Sequence, residues 1–263
     1  MVCVLAIQVG ACASPAARND KFALSKGFER SEVSGAEFTH AVYQSKGSAT
    51  DIWHIYIEGD GTPWKRSHII SADPTPRNPL MLKLMAMDAS PAIYLGRPCY
   101  HGMVTEPACD PWIWTHGRYS ERAVASMSAA LDRLISLNSI KQLVLIGHSG
   151  GGTLAILLAE RTPQTQAVVT LAGNLDIERW AQYHNYSPLT GSLNPVDRPR
   201  LPASIVQHHY VGRYDKVITP DIIKNTPRNH TGVELIEVDR VGHTEGWETY
   251  YCTVLVSISA ECR

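Results

Sequence analysis

The sequence predicts an α/β fold, with a mostly parallel central sheet covered by helices on both faces. Short apolar runs alternate with longer stretches of helical spacing along the chain. Several runs, such as Leu143-Val144-Leu145-Ile146, are continuously apolar, which is what a strand buried on both faces requires. That run leads through Gly147-His148-Ser149-Gly150-Gly151 straight into an apolar helical stretch, a strand–turn–helix in which glycines flank a serine.

The elements follow in order. Residues 1–12 form a signal- or lipobox-like segment: Met1 to Ala11 are apolar except for Gln8, and Val9-Gly10-Ala11 precede Cys12. This resembles a bacterial lipobox, which implies lipidation of Cys12 and membrane contact through that anchor. An exported protein of the bacterial cell envelope or periplasm, on the outer membrane if anchored, is the localisation this implies. No Lys or Arg precedes Arg18, so an ordinary cleaved signal and a plain apolar N-terminus stay open. Ser14 to about Glu32 reads as a polar tether, within a linking stretch of residues 13–35. From Ala36 to the C-terminus, residues 36–263, runs one α/β domain.

Within that domain, strands are expected at Phe38–Tyr43, Ile52–Ile57 and Ala92–Leu95, with a short helix at Leu80–Met87 after Pro74, Pro76 and Pro79. Ser120 reads as the N-cap of a helix reaching Leu137. Buried strands at Leu143–Ile146, Ala167–Leu171, Ser204–Tyr210 and Val233–Val238, with a helix from Gly151 to Glu160, complete right-handed βαβ units. Asn174–Pro202 carries little regular signal and holds Trp180, Tyr183, Tyr186 and Leu189, so it is a short lid-like insertion or an aromatic surface loop. No segment after the N-terminus approaches the roughly 20 apolar residues a membrane span needs.

The 263 residues are 44% apolar and 19% charged with a formal net charge of −1, so there is no electrostatic case for nucleic acid. No His-Glu-x-x-His, Cys-x-x-Cys or phosphate-loop pattern occurs, so neither a metal nor a cofactor is expected. Of the six cysteines, Cys99, Cys109, Cys252 and Cys262 remain after Cys3 and Cys12. Four cysteines allow three pairings, and sequence neighbours suggest Cys99–Cys109 and Cys252–Cys262. An unbroken helix would hold Cys252 and Cys262 about 15 Å apart, past the roughly 7 Å limit for a bridge. The second bond therefore requires the terminal helix to stop around Ser257 to Ser259. Cys99 to Trp114 reads as a disulfide-stapled surface loop.

The chemistry lies at Ser149. Glycines flank it because the turn is sharp and a side chain would strike neighbouring backbone, and the helix N-terminus behind it favours developing negative charge. With this motif, residues 36–263 resemble the α/β-hydrolase superfamily, whose triad runs Ser, acid, His. The resemblance implies Asp215, in Gly212-Arg213-Tyr214-Asp215-Lys216, as the acid, with Asp176 as a competitor. It implies His243, in Val241-Gly242-His243-Thr244, as the base. It implies Gly150 N–H as one oxyanion-hole donor, and Asp60 N–H, with Gly61 as second choice, as the other. The turn Glu58-Gly59-Asp60-Gly61 departs from the family's His-Gly pattern, because Glu58 stands where the His often is. His148, His208 and His209 read as structural. The implied activity is a carboxylesterase- or lipase-like serine hydrolase cleaving an acyl ester or thioester of a small molecule or lipid. A peptidase, an amidase or an acyltransferase on the same triad is the enzymatic alternative. A non-catalytic binding lipoprotein on this fold is the other.

Overall fold

The computed structural model describes residues 13–48, 50–66, 68–224 and 233–263. Cys12 and the lipobox-like segment lie outside the described residues. The strands are β1 (Glu29–Ser34), β2 (Thr39–Ser45), β3 (Ile52–Ile57), β4 (Trp64–Lys65), β5 (Ile69–Ile70), β6 (Ala92–Leu95), β7 (Gln142–His148), β8 (Thr165–Leu171), β9 (Val206–Gly212) and β10 (Val233–Val238). The helices are α1 (Pro15–Ser25), α2 (Leu80–Met85), α3 (Pro111–Trp114), α4 (Glu121–Asn138), α5 (Gly150–Ala159), α6 (Ile177–Tyr183), α7 (Pro220–Lys224) and α8 (Trp247–Ser257).

Eight strands form one sheet in the order β1-β2-β6-β3-β7-β8-β9-β10. β2 runs antiparallel to both its neighbours, and from β6 to β10 every pair is parallel. The side-chain period of two divides β7 between two cores. Val144 and Ile146 pack with α2 and α8, while Leu143 and Leu145 pack with α4 and α5. Both faces of the central strands are thus removed from water, which is why their sequences are continuously apolar. β4 and β5 form a separate two-stranded hairpin.

The chain leaves β3 toward β6 on one side and then returns to β7 on the other, so the crossover direction reverses between β3 and β7. Loops at the carboxyl ends of the strands beside such a reversal diverge and leave a crevice. The turns after β3 and β7 flank it.

Residues 14–32, expected as a polar tether, are instead ordered on the sheet. Ser14 caps α1 by accepting from Ala17 N–H, and Ala16, Asn19 and Ala23 bury one face of it. Asn19 Nδ2 donates to the Pro76 carbonyl at 3.0 Å. The apolar face is too narrow to register as a periodic signal, and a buried Asn breaks it. β1 pairs with β2 as a sheet edge, largely exposed, and its Glu29, Arg30 and Glu32 suit an edge that must not recruit another strand.

The segment from Cys99 to Trp114, expected as a surface loop, encloses a small core of its own. Cys99, Tyr100, Ile113 and Trp114 are buried there with Phe38. Burying these aromatics is worth more than solvating the loop. Cys99 and Cys109 are bonded with Cα atoms 5.7 Å apart, and Cys252 and Cys262 with Cα atoms 5.3 Å apart. α8 ends at Ser257, and Ser259 takes a left-handed φ of 58°, which turns the chain back toward Cys252. No helix among the described residues is long and apolar enough to cross a membrane.

Candidate active site

β7 delivers Ser149 to the first turn of α5. Ser149 adopts φ 52° and ψ −121°, a strained conformation for a residue with a side chain. The turn closes only because its neighbours lack side chains. A Cβ on Gly147 would lie 2.2 Å from the Gly151 carbonyl oxygen, and one on Gly151 would lie 2.2 Å from that of Ile57. Ser149 N–H donates to Leu171 at the end of β8, and its carbonyl accepts from Gly152 and Asn174, so the turn is tied to both sides. The first N–H groups of α5, that of Gly150 among them, have no intrahelical acceptor.

His243 follows β10 and approaches Ser149 with Nε2 at 3.1 Å from Oγ. Its Nδ1 lies 2.9 Å from Asp215 Oδ2. An ionised carboxylate only accepts, so Nδ1 carries the proton and Nε2 is left to accept from the serine hydroxyl. Asp215, wholly buried, also accepts from Val217 and Ile218 N–H through Oδ1, at 2.7 and 2.8 Å. The His243 carbonyl accepts twice, from Trp247 Nε1 at 2.9 Å and from His148 Nε2 at 2.8 Å. The imidazole is therefore fixed by its backbone as well as by Asp215.

Asp176 is not part of this arrangement. It caps α6, accepting from Arg179 N–H and Asn194 Nδ2. That helix also shows that the stretch from Asn174 to Pro202 is not wholly irregular. His209 pairs with Thr170 and His208 with Glu234 within the sheet.

The turn after β3 lies against the nucleophile. A Cβ on Gly59 would sit 3.3 Å from Ser149 Cβ, and one on Gly150 would sit 2.1 Å from Asp60 Oδ1. Gly61, with φ 66°, packs on Pro74 and Pro76 instead. The Asp60 side chain and Gly150 are thus brought together beside Ser149, and Gly59, Asp60 and Gly61 all line the cavity above it. The Asp60 carboxylate is gripped by Arg97 at 2.6 Å, Arg118 at 2.7 Å and the Tyr119 hydroxyl at 2.7 Å, which hold it well below the usual carboxylate range. The Tyr100 hydroxyl donates to the Asp60 carbonyl at 2.8 Å. Sequence reasoning missed this cluster. Arg97, Tyr100, Arg118 and Tyr119 come from loops 37 to 59 residues away, and no spacing rule connects them.

Glu58 and His148 are the other two buried polar groups here. Glu58 accepts from Met81 N–H at 3.0 Å, and burial pushes its carboxyl up to about 7. His148 is held neutral, pushed down to about 3 by burial and by the nearby His243, whose ring centroid lies 4.9 Å away.

Above Ser149 opens a cavity of about 690 Å³. Trp64 from β4, Trp180 from α6, Tyr186 and Leu189 form apolar parts of its wall; Arg77, His116 and Arg118 supply polar ones. The size suits a small or medium organic ligand. No group of His, Cys, Asp and Glu among the described residues is arranged to hold a metal ion.

No protein-family profile matches the chain, and no curated protein matches it in sequence. Solved structures do match in shape. A candidate lipase of Acinetobacter baumannii AYE aligns with a TM-score of 0.65 at 14% identity, over 96% of this chain and 99% of that one. A serine hydrolase of Xanthomonas campestris, described as lacking a lid, aligns with a TM-score of 0.59 at 11% identity, over 88% and 94%. The Pyrococcus furiosus esterase Pf2001 aligns with a TM-score of 0.57 at 13% identity, over 92% and 91%. Together with the sheet order and the strand–Ser149–helix turn, these likenesses show that this chain has the α/β-hydrolase fold.

Proposed function

We propose that the chain is a serine hydrolase that cleaves an acyl ester or thioester through Ser149, His243 and Asp215. The observation that carries this reading is the hydrogen-bonded chain from Asp215 Oδ2 to His243 to Ser149 Oγ, at 2.9 and 3.1 Å. In this mechanism His243 Nε2 takes the Ser149 proton as Oγ attacks the substrate carbonyl. Gly150 N–H and Asp60 N–H receive the oxyanion, which the N-terminus of α5 also favours. The imidazolium then protonates the leaving group. In the second half, water gives its proton to Nε2, attacks the acyl-enzyme and releases the acid. Asp215 keeps the proton on Nδ1 and stabilises the imidazolium without becoming protonated. The apolar wall at Trp64, Trp180 and Leu189 supports an organic acyl group.

The test is a fluorophosphonate probe on the purified protein and on Ser149→Ala, followed by p-nitrophenyl esters of increasing chain length. Labelling is expected on the wild type only. Ser149→Ala is expected to lower kcat by about 10⁴-fold or more. A folded wild type that neither labels nor turns over any ester overturns the reading. Anchoring through Cys12 is a separate proposal from the sequence, tested by acyl labelling that Cys12→Ala abolishes.

A further inference from the structure

The cavity beside Ser149 holds more positive charge than its partners neutralise. Arg97 and Arg118, 2% and 6% exposed, converge on the single carboxylate of Asp60. Two guanidiniums on one carboxylate leave an excess of one positive charge. Arg97 stands behind the cavity wall rather than in it: its Nη1 donates to Asp60 and its Nη2 to the Arg118 carbonyl, and it lies over the rings of Tyr100 and Tyr119 at 5.3 and 5.4 Å. Arg118 is different. Its Nε donates to the Thr115 carbonyl and its Nη1 to Asp60, but among the described residues its Nη2 has no partner. Arg118 also lines the cavity, on the same wall as Asp60. That Nη2 edge is open to the cavity rather than sealed in the protein, so it is available to an acceptor there, and the planar guanidinium fork matches a carboxylate or phosphate.

Arg77 adds to that charge, and Glu58 offsets it only in part. Arg77 lines the same cavity, is exposed, and makes no ion pair among the described residues. Glu58, the other carboxyl in the lining, is buried and drawn toward its neutral form.

We propose that Arg118, with Arg77, forms an anion subsite beside Ser149, and that the substrate is an ester whose acyl or leaving group carries a carboxylate or phosphate. The reaction in this statement rests on the hydrolase reading; the ligand's charge rests on the cavity. The anion completes the Nη2 edge of Arg118 while the ester carbonyl faces Ser149.

Two experiments separate these parts. Calorimetry on Ser149→Ala with glutarate and with glycerol 3-phosphate, against neutral glutaramide, reads the subsite without turnover. Binding of at least one anion is expected, weakening at high salt as a charge interaction must. The tighter anion tells carboxylate from phosphate. Turnover by the wild type is compared for mono-p-nitrophenyl glutarate and p-nitrophenyl valerate, and for 4-carboxyphenyl and 4-carbamoylphenyl butyrate. The anionic member of at least one pair is expected to lead in kcat/KM by about tenfold or more. Arg118→Lys and Arg77→Ala are expected to reduce that ratio, chiefly through KM. The ratio is the readout because a merely structural loss lowers both members of a pair together. The proposal is overturned if neither anion binds better than glutaramide and neither pair shows a preference. Anion binding without fluorophosphonate labelling would instead sink the hydrolase reading and leave the subsite standing.

Discussion

Glu58 shows how one residue's environment sets its chemistry. It follows β3 directly, is buried, and accepts from Met81 N–H, so burial outweighs that hydrogen bond and favours the neutral acid. Its native pKa, about 7, lies above the ordinary 4.5. Below the ordinary value both folded and unfolded states are protonated, and the full stability is present. As pH rises the unfolded chain ionises first, so stability is lost until pH passes about 7. Glu58→Gln cannot ionise and escapes that loss. The stability difference between Glu58→Gln and wild type is expected to move in the variant's favour between those two pH values. The change is about 3 kcal/mol, read by urea melts across pH. A difference that is flat with pH would show that Glu58 is ionised in the native state.

At the scale of the element, the proposed mechanism has α5 and the turn before it receive the developing negative charge. The helix is apolar on all sides because α4, β7 and β8 cover it, so packing rather than propensity holds it in place. Its first residue leaves no room for a side chain: a Cβ on Gly150 would meet Asp60 Oδ1 at 2.1 Å and the Tyr119 hydroxyl at 2.2 Å. Gly150→Ala must therefore push the helix N-terminus and the Asp60 turn apart. A fall in kcat of about 10²-fold is expected, the scale for losing an oxyanion donor, with a stability loss of about 1–3 kcal/mol. An unchanged kcat would place the oxyanion elsewhere. The same element scale explains the misread N-terminal region. α1 buries only a narrow face and β1 is a charged edge strand, so neither carries the strong periodicity that made β7 and α4 legible.

At the scale of the molecule, two disulfides each close a short loop. One closes the loop that supplies Tyr100 to Asp60, just after Arg97, and the other ties the middle of α8 to Cys262 near the C-terminus. Each spans a sequence separation of 10 and is expected to contribute roughly 2–3 kcal/mol by restricting the unfolded chain. Reduction is expected to lower Tm and to add one hydrogen per bridged cysteine to the intact mass. Cys99→Ser paired with Cys109→Ser should lower kcat as well, since it loosens the loop behind Asp60. Loss of Tm without any change in kcat would separate that loop from the site.

The strands of the parallel sheet, α4 with its Ser120 cap, and the serine turn were all legible in the sequence, because each rests on interactions between residues a few positions apart. The order Ser149, Asp215, His243 was legible from the resemblance and from position: each follows an expected strand, and parallel strands deliver their carboxyl ends to one edge. That these three meet at hydrogen-bonding distance was decided by the sheet order, which brings β7, β9 and β10 side by side with β8. The tertiary structure alone decided that Asp176 caps a helix, that Asp60 is clamped by two arginines, and that Arg118 faces the cavity. Periodicity records which side of an element is buried, but not what lies across from it. Charged partners from distant loops leave no mark in local spacing, and only the packed chain shows which charges are balanced.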